Sequence, residues 1–393
     1  MTKENKSVKN FPNLRFPGFE EEWEVKKLGD IIEFKAGYAF KSENMLSEKS
    51  NYQLLKMSNV YQNELRLDRN ASYWENINDK VKEFLLRKGD SVLTLTGTVG
   101  KKDFGYSVMI NEDDKYLLNQ RLVLLREKKG KSINGYISQI LLSERFLFYF
   151  FAEAKGGTGN QTNVGVEDIK NIQLYFPIIF EQQKIADFLE IIDTRIQTQK
   201  KIIEGLIALK IQSRNNLFTK ISKGDYEIFK IEEILSYEQP TKYIVSNTDY
   251  SSDTSLIPVL TANKAFILGY TNEDWGIYNK GKCIVLDDFT MDLKYVDFPF
   301  KVKSSAIKLL TPKINVDLKF IFEYFSFLNL SSNEHKRHYI SEIQPMFLNV
   351  PPIEIQNNIS NFLSKLDEKI NLETTLLTQY ENQKKYLLQN LFV

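Results

Sequence analysis

The sequence predicts an α+β protein, with two mixed α/β domains separated by a pair of long antiparallel coiled-coil helices and related by a pseudo-twofold internal repeat. Three observations predict it. The segment from Pro177 to Thr219 recurs without a gap 174 positions later, from Pro351 to Val393. Within each copy, steps of four and three pick out one apolar stripe, the seam of a coiled coil. Ahead of each copy lies a stretch with the mixed strand, turn and helix signals of a globular domain.

In the first copy the stripe is Ile185, Leu189, Ile192, Ile196, Gln199, Ile203, Leu206, Lys210, Ser213 and Leu217. In the second it is Ile359, Leu363, Leu366, Ile370, Glu373, Leu377, Tyr380, Lys384, Leu387 and Leu391. Polar residues interrupt both copies at the same places, Gln199 matching Glu373 and Lys210 matching Lys384, where they weaken packing but can set register. Two unrelated amphipathic helices, each lying on its own domain, are the alternative. Each copy opens on Pro, which is favoured in the first turn of a helix, and about 39 helical residues would span roughly 58 Å. The order of the chain requires the two helices to run antiparallel if they pair, giving a dumbbell.

The chain has 393 residues, more than a single core usually supports. The expected divisions are an N-terminal segment 1–22, a domain 23–176, a helix 177–221, a second domain 222–350 and a second helix 351–393. Residues 1 to about 10 are polar and expected to lack fixed structure. The strip Asn10 to Phe19, followed by Trp23, is too aromatic to float and should pack on another element. Val25, Leu28 and Ile31 are answered by Ile228, Ile231 and Ile234. Leu118–Leu125 is answered by Val302–Leu310, both strand-like, and the helix-like run Tyr136–Phe151 by Leu318–Leu328.

Hydrophobic residues make up 42% of the chain, and the single cysteine, Cys283, excludes an internal disulfide framework. With no signal-peptide pattern and no apolar run long enough to span a bilayer, the expectation is a soluble cytoplasmic protein with no membrane contact. Net charge is +1; from Glu22 to Tyr175 there are 23 Lys/Arg against 21 Asp/Glu, and from Gly224 to Asn349 there are 13 against 17. A chain holding nucleic acid by bulk charge alone would be far more basic. Any such binding must use local patches or basic surface on partners.

Catalytic patterns are absent. Gly97-Thr-Val-Gly-Lys101 only superficially resembles a phosphate loop, and no paired-glycine dinucleotide fingerprint follows an early strand. His335 and His338 have a spacing that could share a metal, but Lys336 and Arg337 crowd it with positive charge, so a polar or phosphate-facing loop is favoured. Asp287, Asp288 and Asp292 could hold Mg²⁺ in a stand-alone nuclease. An acidic turn with hydrogen-bonded carboxylates is favoured over that reading. The polar loops are better candidates for recognition. Thr158, Asn160, Gln161 and Thr162 carry side chains that can read base edges, beside Gly156, Gly157 and Gly159. Lys101, Lys102 and Arg121 suit phosphates or guanine.

The run Leu14-Arg-Phe-Pro-Gly-Phe19 then Trp23, the run Leu95-Thr-Gly-Thr-Val-Gly-Lys101, and above all Phe176-Pro-Ile-Ile-Phe-Glu-Gln-Gln-Lys-Ile185 with its copy at Val350-Pro-Pro-Ile-Glu-Ile-Gln356, resemble the specificity subunits of type I restriction–modification systems. The resemblance covers nearly the whole chain. It implies that each domain is a target recognition domain reading one half of a split, asymmetric double-stranded DNA sequence. It also implies that the helices set the spacing and dock two methyltransferase subunits, which carry S-adenosylmethionine. Two restriction–translocation subunits using ATP and Mg²⁺ would complete the complex, this chain binding no cofactor and catalysing nothing. A non-enzymatic protein-binding scaffold is the remaining alternative. On this reading the DNA-facing set is Lys101, Lys102, Asn119, Gln120, Arg121, Thr158, Asn160, Gln161 and Thr162 in the first domain. In the second it is Lys303, Ser304, Ser305, His335, Lys336, Arg337 and His338. Subunit contact and spacing would fall to Glu181, Gln182, Gln199, Lys210, Gln356, Glu373 and Lys384.

Overall fold

A computed structural model of the chain describes residues 10–156, 159–262, 265–331 and 337–393. Two compact units emerge, one formed by residues 1–199 and 376–393, the other by residues 200–375. The division cuts through both long helices, Ile179–Lys223 and Ile353–Asn390. Half of each helix therefore belongs to the body of each unit.

In the first unit, Glu24–Lys27 pairs antiparallel with Gln173–Phe176, joining the entry of the domain to its exit. A four-stranded antiparallel sheet follows, ordered Ile32–Ala36, Leu122–Glu127, Ser91–Thr94 and Ser107–Met109. Beside it lies a smaller sheet in which Tyr52–Leu55 pairs parallel with Tyr116–Leu118 and antiparallel with Tyr73–Trp74. The second unit repeats all three. Glu227–Lys230 pairs with Phe347–Val350. Its four-stranded sheet is ordered Leu235–Glu238, Ile307–Pro312, Cys283–Asp287 and Leu293–Val296. The smaller sheet has Ile257–Leu260 between Ile267–Thr271 and Lys301–Val302, again with one parallel pair. The internal repeat is thus a repeat of topology.

The helix expected over Tyr136–Phe151 breaks into Asn134–Ile140 and Glu144–Ala152, because the Ser143 hydroxyl caps the second by accepting the Phe146 N–H at 3.2 Å. Its counterpart Leu318–Leu328 is unbroken and capped by Asp317, whose carboxylate takes the Phe320 N–H at 2.7 Å. Pro177 and Pro351 do not open the long helices but stand two residues ahead of Ile179 and Ile353. A residue before proline is held extended, and Phe176 and Val350 are each the last residue of a strand. Gln182 and Gln356 then reach back, donating side-chain N–H groups to the carbonyls of Pro177 and Pro351 at 3.0 and 2.8 Å.

Every position of the expected stripe is buried or half-buried in both helices. In the first unit Ile185, Leu189 and Ile192 share a core with Tyr136, Phe146 and Phe176, and with Leu387, Leu391 and Phe392 from the far end of the second helix. In the second unit Phe218 and Ile221 share a core with Phe320, Tyr324, Ile359 and Leu363. Phe392 and Phe218 are repeat partners in matching roles, one 5.5 Å from the Tyr136 ring and the other 5.1 Å from Phe320. Within each unit the helical halves therefore run antiparallel, the beginning of one beside the end of the other.

The lysines that interrupt the stripe are paired in the same symmetric way. Lys384 meets Asp193 in the first unit, and Lys210 meets Asp367 at 2.6 Å in the second. Gln139 also donates to Asp193 at 2.8 Å, whereas the second unit surrounds buried Glu323 with Lys210, Lys319 and Arg214. Gln199 and Glu373 are both buried, and Glu373 takes an ion pair from Lys369.

Phe218 is fully buried. Replacing it with alanine leaves a cavity where helix and head meet, so Phe218→Ala should cost about 3–5 kcal/mol. Denaturant unfolding of the purified chain checks this; a loss under about 1 kcal/mol would mean that the helix does not contribute to this core.

Candidate nucleic-acid interface

The first unit carries two sheets that the second lacks among the described residues, a short hairpin of Val60–Tyr61 with Glu64–Leu65 and a three-stranded polar ribbon. Thr96–Thr98 pairs antiparallel with Gln161–Asn163, and Gln161–Asn163 pairs with Lys155–Gly156. Leu95 fastens this ribbon to the main sheet. Its N–H donates to the Arg121 carbonyl and its own carbonyl accepts the Val164 N–H, both at 3.0 Å. Residues far apart in sequence thus converge, and the ribbon and its adjoining turn present Lys101, Lys102, Asn160, Gln120 and Arg121, all exposed, with Gln161 half-buried.

The loop joining the ribbon to Phe104 is rigid. Asp103 accepts the Thr98 hydroxyl at 2.7 Å and N–H at 2.8 Å, bonds that hold its carboxyl below the usual range. Gly97 is required at this point because a Cβ would lie 2.3 Å from the Phe104 ring. The adjoining turn is equally constrained, with Arg121 at a φ of 67° and Gln120 donating its N–H to the Tyr38 carbonyl at 2.9 Å. Gly97-Thr-Val-Gly-Lys101 leads into coil and not into a helix, so it lacks the helix N-terminus that a phosphate loop requires.

Two expected recognition residues of this unit turn inward. Asn119 is 6% exposed and its side-chain oxygen accepts the Gln120 N–H at 2.8 Å. Thr162 is 8% exposed and donates its hydroxyl to the Lys155 carbonyl. Both shape the turn and the ribbon, and neither presents its side chain to a ligand. Thr158 lies outside the described residues.

In the second unit Lys303, Ser304 and Ser305 form the turn matching Asn119, Gln120 and Arg121. Lys303 donates its N–H to the Leu260 carbonyl as Asn119 does to Leu55, both at 3.1 Å. Lys303 and Ser305 are exposed, and the Ser304 hydroxyl accepts the Ala306 N–H at 3.1 Å. Arg337 is exposed, its guanidinium 5.9 Å from the Phe289 ring. His338 is a correction. It is 3% exposed, with Nδ1 2.9 Å from Glu342 and its backbone N–H donating to Asp288, so it supports the fold and does not face a ligand. His335 and Lys336 lie outside the described residues.

The acidic turn is used up internally. Asp287 accepts the N–H groups of Phe289 and Thr290. Asp288 is buried against Lys308 at 3.3 Å and accepts the Tyr339 N–H at 2.7 Å. Asp292 accepts the Thr290 hydroxyl at 2.8 Å. A nuclease using these carboxylates would first have to dismantle the turn.

The expected partner contacts through Glu181, Gln182 and Gln356 are corrected too, because all three are about 1–2% exposed. Glu181 is held bidentately by Arg15, both bonds 2.8 Å, and accepts the Trp23 indole N–H at 3.2 Å. Gln356 accepts the Asp317 N–H at 2.9 Å. These residues fasten the helix starts to their own domains.

One feature of the second unit escaped the sequence reading. Lys301 is fully buried, paired with Glu273 at 2.8 Å, bonded to the Trp275 carbonyl at 2.7 Å and 3.8 Å from the Trp275 ring centre. Glu273 also takes the Ser246 hydroxyl and N–H. The result is a fixed loop that displays Trp275 at 54% exposure. A lone tryptophan in the polar run Asn272-Glu-Asp-Trp-Gly276 was the available signal.

Lys301 first, and Ser246 after it, hold the Glu273 carboxyl down at about 2 against an ordinary 4.5. A carboxyl lowered on folding stabilises the fold above its unfolded value, and that contribution drains away as pH falls from 4.5 towards 2. The environment of Trp275 should therefore loosen over that window, and Glu273→Gln should show the loosened state already at pH 7. Fluorescence quenching of Trp275, read with Trp23 and Trp74 replaced by Phe, measures it; equal quenching of the two proteins at neutral pH would refute the clamp.

The model of the type I restriction modification DNA specificity domain matches residues 20–207 and again 223–382. The chain is 39% identical over 175 residues to the EcoR124I/EcoR124II type I restriction enzyme specificity subunit of Escherichia coli, a match covering 41% of this chain and 43% of that protein. It is 22% identical to the putative MjaX type I restriction enzyme specificity subunit of Methanocaldococcus jannaschii, over 96% of this chain and 95% of that one. Its fold is that of the type I restriction–modification S subunit from M. genitalium, with a TM-score of 0.66 at 16% identity, covering 98% of this chain and 99% of that one. Among the described residues no helix is long and apolar enough to cross a membrane. Two consecutive matches spanning most of the sequence, on a topology that repeats in the same order, show that the chain belongs to the family of type I restriction–modification DNA specificity proteins.

Proposed function

We propose that this chain is the sequence-reading subunit of a type I restriction–modification complex, each unit reading one half of an asymmetric bipartite DNA target. The observation that carries this is the combination of a shared frame with unlike displays. The two units repeat the same three sheets. One adds the polar ribbon with Gln161, Lys101 and Lys102, and the other exposes Trp275, Lys303 and Arg337 at separate points of its surface loops. Gln161 and Asn160 have amides suited to adenine, Arg121 suits guanine, and the lysines suit phosphates. Unlike displays on one frame are what two different half-sites require.

The long helices set the spacing of the half-sites and dock two methyltransferase subunits, with two restriction–translocation subunits joining the complex. Catalysis belongs to those partners, with S-adenosylmethionine bound by the methyltransferases and ATP and Mg²⁺ by the translocases. The +1 net charge supports this division, because much of the phosphate grip must come from other subunits. The carboxylates of the acidic turn, all engaged internally, favour it over a stand-alone nuclease.

Replacing segment 24–175 by the matching domain of a homologue should change the methylated sequence in one half only, read by methylation-sensitive genome sequencing of cells carrying the complex. An unchanged motif, or a change in both halves, would refute half-site reading by the first unit. Lys101→Ala with Lys102→Ala should weaken DNA binding of the complex evenly across sequences and lower the salt slope by about 1–2. A changed target motif in that variant would mean that these lysines read bases.

A further inference from the structure

The first unit contains a strap. Residues 10–22 run ahead of the domain across the two long helices where these meet in that unit. Leu14 donates its N–H to the Asn390 carbonyl at 2.9 Å, and the Asn13 amide reaches the Asn390 side-chain oxygen at 3.3 Å. Arg15 clasps Glu181. The Phe16 ring stands edge-on to Phe188 at 5.5 Å with the Lys184 ammonium 5.8 Å above it. The strap thus covers a groove whose contacts are Asn390, Glu181, Lys184 and Phe188.

Moving these four positions through the 174-residue repeat gives Asn216, Ile355, Asn358 and Phe362. All four line an open groove of about 520 Å³ in the second unit, floored by Leu217 and Ile359. No counterpart of the strap enters it among the described residues. The first helix runs to Lys223 and the next strand begins at Glu227, a connection too short to supply one. The sequence contains one Leu-Arg-Phe-Pro-Gly-Phe run, and the first unit uses it. Phe362 is accordingly 46% exposed, whereas its twin Phe188 is half-buried.

We propose that this second groove is the docking site for an extended segment of a different polypeptide, patterned apolar, uncharged, aromatic where the strap reads Leu14, Arg15, Phe16. The aromatic residue would stand against Phe362 and the apolar one against Leu217. The middle residue is uncharged because Glu181, which neutralises Arg15, is replaced by Ile355. A guanidinium there would be desolvated without a partner, which is costly. The same substitution disfavours a second copy of this chain as the occupant, since its strap carries Arg15. Asn216 lies inside a helix, so its carbonyl is committed and its side-chain amide is what it offers a ligand, as Asn390 offers Asn13. The inference stands on the repeat alone and not on DNA reading.

Two fluorescein-labelled heptapeptides test it on the full chain without nucleic acid, one copying Asn13–Phe19 and one with leucine in place of the arginine. Fluorescence anisotropy should show saturable binding of the leucine peptide and about tenfold weaker binding of the arginine peptide. Phe362→Ala, a change at an exposed ring, should abolish binding while the melting temperature holds. Ile355→Glu should reverse the preference between the peptides. The proposal is overturned by absence of saturation with both peptides, or by binding that survives Phe362→Ala. Binding lost with Phe188→Ala instead would assign the peptide to the strap's own groove, and self-association abolished by Phe362→Ala would assign the groove to a second copy. Either result also overturns it.

Discussion

A long helix with one apolar stripe cannot remain uncovered in water, and the whole chain answers that constraint. The stripe positions of both helices are buried or half-buried from end to end, and each fully covered Leu, Ile or Phe contributes about 1.5–3 kcal/mol. In each unit the cover comes from two sources at once, the aromatic face of the domain and the opposite end of the other helix. Tyr136 and Phe146 serve in one unit, Phe320 and Tyr324 in the other. Helix and head are therefore one core, and the symmetric pairs Lys384–Asp193 and Lys210–Asp367 fix its register.

With the frame so constrained, the variable parts are the turns and loops that leave it. The same structural turn carries Gln120-Arg121 in one unit and Ser304-Ser305 in the other, each anchored by an N–H bond to the neighbouring strand. The ribbon of Thr96–Thr98 and Gln161–Asn163 is an addition on the first frame, and the Lys301–Glu273 clamp under Trp275 is a device of the second. The repeated scaffold thus differs between its two copies mainly at the exposed rim. The strap and the open groove show the same kind of difference on the helices, with Glu181 and Arg15 on one side and Ile355 on the other.

Much of the fold was legible because repeat and periodicity are properties of the chain itself. The order of domain, helix, domain, helix and the seam register can be read without knowing a single contact. The candidate site was legible only in part. Lys101, Lys102, Asn160, Gln161, Arg121, Lys303 and Arg337 lie at the surface, as polar residues in turns usually do. Asn119, Thr162 and His338 have equally polar side chains, yet all three are buried, the first two satisfying backbone groups and the His338 ring lying against Glu342. Residue type does not say which way a side chain points. For the same reason Glu181, Gln182 and Gln356 read as outward contacts although they fasten the helix starts inward.

What the sequence by itself determined was the repeat, the helices, the polar interruptions at Gln199, Lys210, Glu373 and Lys384, and the family. All of these rest on local spacing and on residue identity along one dimension. Only the tertiary structure decided which loops share a surface, since Thr96–Thr98 and Gln161–Asn163 meet across more than sixty residues through hydrogen bonds that no local pattern encodes. It likewise decided that Lys301 is buried beneath Trp275 and that one of two equivalent grooves is covered and the other open. Those outcomes depend on which partner reaches a group first in space, and pairing at a distance is set by packing and not by sequence interval.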